Sequence, residues 1–324
     1  MEGQGKPKVL FDKVLIGFPT CNQSGDSGVI IGMFRTFFAF FLVWLVWCAA
    51  PGALADDSFF QSNRVRIHYK VEGKGEPVVL IHGLLGSIAD DWEQPGVFQA
   101  LAKDYQVIAL DCRGPGKSGK PHDPRQYGMQ MVEDVVRLLD HLHIQKAHIV
   151  GYSLGGIITA KLLATHPDRF LTATLVASGG LHKKDAVIPL LTAFADDLEQ
   201  GKGMGALMNF FTPPGQPKPT EEQIKATSQE VLANQDVQAI IAVARGIKSL
   251  VVDNATLKAS PIPVLAVVGS LDPFKKSVES LAGQMPELSV VLIDGADHLT
   301  VVGRPEVLEN LKRFLDRHRS VNSR

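Results

Sequence analysis

The stretch Gly151-Tyr152-Ser153-Leu154-Gly155 has the form G-x-S-x-G. An apolar run, Ala147-His148-Ile149-Val150, leads into it, and a helix-like stretch, Gly156 to Ala164, leads out. A serine on a tight strand-to-helix turn is held exposed, with its oxygen aimed into a cleft. The flanking glycines let the chain turn without clashes. Five residues alone can match by accident, so the strand before and the helix after carry the inference.

A serine hydroxyl is a poor nucleophile at neutral pH. It needs a base, a group to orient that base, and donors for a developing oxyanion. Such partners belong at the C-terminal ends of other strands, where clefts of parallel sheets lie. Of ten histidines, His298 fits best. It follows the run Val290 to Ile293 through the turn Asp294-Gly295-Ala296-Asp297, and it precedes the last helix pattern. Asp272, in Gly269-Ser270-Leu271-Asp272 after the run Val264 to Val268, is the expected acid. Asp294 and Asp297 compete for that role. Asp297 neighbours His298 in the chain, and adjacent side chains diverge. The order Ser153, Asp272, His298 matches one known arrangement of such groups. For the oxyanion, the backbone N–H of Leu154 lies directly after the serine at a helix N-terminus. A second should come from His82-Gly83-Leu84-Leu85-Gly86-Ser87, with Leu84 as the choice. His82 reads as a brace for that loop.

Other motifs invite different chemistry. Gly114-Pro115-Gly116-Lys117-Ser118-Gly119 matches a dinucleotide fingerprint, and Gly116-Lys117-Ser118 resembles part of a phosphate loop. Both require a helix opening there. Pro121 and Pro124 follow instead, so Asp111 and Arg113 read as braces near the cleft. His141-Leu142-His143 resembles a metal pair without further ligands. No metal and no organic cofactor is expected.

These groups need a scaffold. Val65–Val71 alternates apolar and polar residues, like an edge or half-buried strand, and apolar runs recur at Pro77–Ile81, Tyr105–Leu110, Lys146–Val150, Leu171–Val176, Val264–Val268 and Ser289–Ile293. Short continuous apolar runs suit strands buried on both faces. Helical periods lie between them, at Met129–Leu142 and Pro305–Arg317. The alternation predicts an α/β fold, a mostly parallel sheet flanked by helices. From 181 to 259 no strand is evident. That stretch reads as an inserted helical cap, with Met204, Leu207, Met208, Phe210 and Phe211 supplying an apolar underside.

At this point the chain resembles the α/β-hydrolase fold family, in its serine-nucleophile, capped, esterase- and lipase-like branch. The resemblance covers residues 60–320 and rests on His82-Gly83, Asp111 to Ser118, the serine turn, Asp272 and His298. It implies about eight strands, with a core of 56–180 and 260–324 and a cap of 181–259. It implies hydrolysis of a carboxylic ester or related acyl substrate through an acyl-enzyme. Related epoxide hydrolases and haloalkane dehalogenases carry aspartate where this chain has Ser153. A carbon–carbon bond hydrolase, a cofactor-free perhydrolase, an acyltransferase and a non-catalytic ligand-binding protein remain alternatives.

The N-terminus reads separately. Arg35, the apolar run Phe37 to Cys48 and Ala53-Leu54-Ala55 have the layout of a secretory signal at about 33–55. The run is shorter than the roughly 20 apolar residues of a membrane span. Export to the periplasm or medium is expected, with a retained membrane anchor as the alternative. Residues 1–32 precede that layout, and Met33 is an alternative start. Cleavage after Ala55 would leave Cys112 as the sole cysteine, with no disulfide to form. A net charge of -1 gives no reason to expect nucleic acid. The expected partner is a small, apolar acyl substrate.

Overall fold

The computed structural model describes residues 56–320, apart from 184, 283, 284 and 286. The signal, the anchor alternative and the start-site question lie outside the described residues.

Eight strands form one sheet: β1 Ser58–Ser62, β2 Val65–Glu72, β3 Pro77–Ile81, β4 Gln106–Leu110, β5 Ala147–Tyr152, β6 Phe170–Val176, β7 Val264–Gly269 and β8 Leu288–Ile293. Their order is β1-β2-β4-β3-β5-β6-β7-β8. The first two pairings, β1 with β2 and β2 with β4, are antiparallel; the others are parallel. The sequence reading missed β1. Its five residues lack a continuous apolar run, and it is an edge strand whose partner supplies the ladder. The turn into β2, Asn63-Arg64, has positive φ at both residues, 46° and 68°, as two-residue hairpins require.

The helices are α1 Val97–Ala102, α2 Met129–His141, α3 Leu154–Thr165, α4 Val187–Glu199, α5 Gly205–Phe211, α6 Glu221–Leu232, α7 Val237–Gly246, α8 Asn254–Lys258, α9 Lys275–Ser280 and α10 Pro305–Arg317. The sheet divides the apolar interior in two, because side chains alternate along a strand. Val79 and Ile81 of β3 enter the core shared with α2, α3 and the α4–α8 segment. Val78 and Leu80 enter the core shared with α1 and α10. On α10, Val307, Leu311, Phe314 and Leu315 are buried along one stripe. Each contributes about 1.5–3 kcal/mol by leaving water, so Leu315→Ala is the kind of change that would loosen this layer.

Helix α3 sits unusually close to the sheet. A Cβ on Gly155 would fall 2.1 Å from the Ile81 carbonyl oxygen, and one on Gly156 2.5 Å from the Ser178 Cβ. This close approach sets the height of the residue before α3, which is Ser153. Between β6 and β7 the described chain is helical. There α4 packs on α5 and α7, α5 on α6, and α8 on α3.

Candidate active site

Strand β5 ends at Tyr152 and α3 begins at Leu154, which leaves Ser153 alone at the turn. Its backbone adopts φ 52°, ψ −111°, a region that non-glycine residues avoid. The fold holds it there: Ser153 N–H donates to the Val176 carbonyl at 2.9 Å. Gly151 is needed as well, since a Cβ there would lie 2.1 Å from the Gly155 oxygen. Backbone strain of this kind persists where surrounding structure enforces it, and it clusters at functional sites.

The loops after β7 and β8 bring Asp272 and His298 to the same place. Ser153 Oγ lies 3.0 Å from His298 Nε2. His298 Nδ1 lies 3.0 Å from Asp272 Oδ2. The other Asp272 oxygen accepts the Phe274 N–H at 2.8 Å. A carboxylate facing Nδ1 places the ring proton there and leaves Nε2 free to accept from the serine. The competing acids are occupied elsewhere. Asp297 accepts from the N–H groups of Leu299 and Thr300, and Asp294 accepts from Ser270 Oγ. Tyr152 donates its hydroxyl to the His298 carbonyl at 2.8 Å. Burial pushes the Tyr152 phenol well above its ordinary range, so it stays a donor.

Leu84 and Leu154 both line the cavity beside Ser153. Leu154 is the first residue of α3, where an N–H has no intrahelical acceptor. The loop carrying Leu84 is tied down on either side. Gly83 N–H donates to Asp91 Oδ2 at 2.8 Å. His82 Nε2 accepts the Cys112 N–H at 2.9 Å, so its Nδ1 carries the proton and donates to the Gly83 carbonyl at 2.7 Å. Asp111 accepts from the N–H groups of Ile88 and Lys117 and from His68. Burial pushes its carboxyl up, yet the His68 bond, the nearby His82 ring and those N–H groups together prevail and hold it at about 2. Arg113 pairs with Asp134 of α2 through two nitrogens. The Asp111–Ser118 segment is thus a brace, and no helix opens at its glycines. Burial raises the Asp91 carboxyl despite the Gly83 N–H. It raises the Cys112 thiol too, which leaves that buried cysteine inert.

The cavity above Ser153 has a volume of about 980 Å³. Its wall is largely apolar, with Leu190, Leu191, Leu207 and Met208 from α4 and α5 facing Leu84 and Ile157. Asp90, Asp91, Asp185 and Asp297 also line it, and no lysine or arginine does so among the described residues. Phe211 and Phe274 pack against His298, and Phe210 packs against both of them. Among the described residues no group of three metal-ligating side chains comes together. His141 stacks on Phe60 at 5.3 Å instead. Sequence reasoning placed Phe211 on the cap's apolar underside without its partner His298, and missed Tyr152, Asp91 and Phe274 as site residues. Tyr152 stood as a variable place in the motif, and the others reach the site only through tertiary packing.

The family model described as the alpha/beta hydrolase fold matches residues 76–305. The chain belongs to the α/β-hydrolase family. The chain is 36% identical over 110 residues to the putative carbamate hydrolase RutD of Azorhizobium caulinodans, covering 34% of this chain and 40% of that one. It is 26% identical over 249 residues to esterase YbfF of Escherichia coli, 74% of this chain and 93% of the relative. A carboxylesterase structure from Nitrososphaera gargenis superposes with a TM-score of 0.64 at 27% identity, over 81% of this chain and 98% of that one. The chain spans less than two thirds of the length of several curated relatives, among them 64% of an acetoin-cleaving acetyltransferase component from Pseudomonas putida. The mostly parallel sheet expected from the residues is observed, with the eight strands that the family resemblance implied.

Proposed function

We propose that the chain is a serine hydrolase that cleaves a carboxylic ester or related acyl substrate through an acyl-enzyme. The observation that carries this is the line of contacts from Ser153 Oγ to His298 Nε2 and from His298 Nδ1 to Asp272, 3.0 Å at each step. His298, oriented by Asp272, takes the Ser153 proton as Oγ attacks the carbonyl carbon. The N–H groups of Leu84 and Leu154 receive the oxyanion. His298 then protonates the leaving alcohol, and afterwards activates the water that releases the acid.

The cavity supports an ester over a carbon–carbon bond substrate. A structural relative at 27% identity acts on a dienoate, whose carboxylate needs a cationic partner when buried. No lysine or arginine lines this cavity among the described residues, and its apolar wall suits an apolar acyl chain. The test is turnover of p-nitrophenyl acetate and butyrate by the full chain and its Ser153→Ala variant, with fluorophosphonate labelling of both. Loss of turnover and of label in a folded variant is expected. Undiminished turnover would remove Ser153 from the reaction. Export remains the proposed location, to be tested by N-terminal sequencing of the processed chain.

A further inference from the structure

Three aromatic rings surround the imidazole of His298. Tyr152 lies 5.8 Å away, ring to ring, and Phe274 meets it edge-on at 5.1 Å and 79°. Phe211 is different: its ring lies 4.2 Å from the imidazole at 13°, face on face. Neutral aromatic pairs favour offset or edge-on geometries over a face-to-face sandwich. A cation centred over an aromatic face is attracted by the ring quadrupole. At 4.2 Å between centroids and 13° between planes the two rings form a parallel stack, a geometry open to a neutral imidazole and one in which an imidazolium gains the further attraction of the ring face.

The position of Phe211 is built from several sides. It is the last residue of α5, and Pro213-Pro214 beyond it cannot continue the helix. Thr212 Oγ1 closes that end by donating to the Met208 carbonyl at 2.7 Å. The Phe211 ring is met edge-on by Phe210 at 5.2 Å and by Phe274 at 5.8 Å. Phe274 in turn donates its N–H to Asp272. The ring over the base and the carboxylate beneath it thus share one support.

We infer, resting on the serine-hydrolase reading, that Phe211 is a positioning residue acting through His298. Its ring face carries the positive charge that the imidazole acquires when Nε2 takes the Ser153 proton. In that step the Oγ–H bond breaks, its electron pair forms the bond to the carbonyl carbon, and the proton moves to Nε2. The carbonyl electrons move to oxygen. The imidazolium is then held between the Asp272 carboxylate at one edge and the Phe211 ring on one face. Because Phe211 arrives on α5, proton transfer reaches full rate only when that helix is seated on His298.

The test replaces Phe211 in the full chain with mono-, di- and trifluorinated phenylalanine, alongside Phe211→Leu and Phe211→Trp. Fluorination drains the ring face while nearly preserving shape. With p-nitrophenyl butyrate, kcat should fall stepwise along the fluorinated series while KM holds. Phe211→Leu should lose about 2- to 30-fold in kcat, and Phe211→Trp should retain it. A kcat that is flat across the fluorinated series would overturn the inference even if Phe211→Leu is slow, since packing alone would then explain the stack. If the unsubstituted chain neither turns over the ester nor labels with a fluorophosphonate, the serine-hydrolase reading falls, and this inference with it.

Discussion

The Tyr152 hydroxyl donates to the His298 carbonyl at 2.8 Å, so the residue before the serine grips the loop that carries the histidine. The two loops lie at the ends of different strands, β5 and β8, which are not neighbours in the sheet. Without this bond, the Ser153–His298 distance would depend only on how each loop packs by itself. Tyr152→Phe keeps the ring and removes the hydroxyl. One buried hydrogen bond is worth about 1 kcal/mol, so kcat for p-nitrophenyl butyrate should fall by about five-fold. KM should move little, and the melting temperature should fall by about 2–4 °C. An unchanged kcat would show that the loops hold their spacing unaided.

Asp272 is wholly buried as a side chain and divides its two oxygens between Phe274 N–H and His298 Nδ1. Asn in its place would keep an oxygen for the Phe274 N–H and turn its amide toward Nδ1. That ring nitrogen would then have to accept, and the proton would shift to Nε2, where it blocks transfer from Ser153. Asp272→Asn should therefore lower kcat by about 10³–10⁴-fold with the fold intact by circular dichroism. A loss of less than ten-fold would mean that another carboxylate orients the ring.

Most of this scaffold was legible because strand ends are legible. Ser153, Asp272 and His298 each follow a short apolar run, and a parallel sheet gathers such ends along one edge. His82, Asp111 and Arg113 were readable as braces for the same reason, since they open the loops after β3 and β4. What the residue pattern withheld lies in side-chain packing between distant segments. Phe211 reads as one more apolar residue of a helix, and its stack on His298 exists only once α5 is docked. Asp91 stands beside Asp90 in a polar stretch, and nothing local tells which of the two turns inward to Gly83. β1 was missed because its ladder is completed by β2, and its own five residues show no apolar run.

Acid should weaken the fold through Asp111. Burial alone would raise its carboxyl, but the His68 bond, the nearby His82 ring and the Lys117 and Ile88 N–H groups together outweigh burial and hold it at about 2. In the unfolded chain its value is near the ordinary 3.8, so between those two values the unfolded state binds more protons. Stability from this group is then fully present above about pH 4 and is lost as pH falls toward 2. The difference corresponds to about 2 kcal/mol in all, of which about 1 kcal/mol is gone by pH 3. Urea unfolding at pH 5 and pH 3 measures it. Asp111→Asn should be less stable at pH 5 and should lose about 1 kcal/mol less than the parent between the two values. Equal losses in both proteins would assign the acid sensitivity to other carboxylates.

Asp91 should have two separable effects. Its carboxylate accepts the Gly83 N–H at 2.8 Å, which occupies that donor and holds the backbone that presents Leu84. When ionised, above its burial-raised range, it also puts negative charge on a cavity wall that carries other aspartates and, among the described residues, no lysine or arginine. Asp91→Asn keeps an acceptor for Gly83 but removes the charge; Asp91→Leu removes both. For neutral p-nitrophenyl butyrate, the Asn variant should stay within about three-fold of the parent in kcat/KM. The Leu variant should lose about ten-fold, as the loop is released and one backbone donor is left without its acceptor. For an anionic ester such as p-nitrophenyl hemisuccinate, the parent should be slow, because a like charge within a few ångströms costs about 1 kcal/mol or more at a partly wetted wall. Asp91→Asn should then speed the anionic ester relative to the neutral one by about five-fold or more. A ratio of the two esters that does not change in Asp91→Asn would limit Asp91 to its contact with Gly83 and move charge discrimination to Asp90, Asp185 or Asp297.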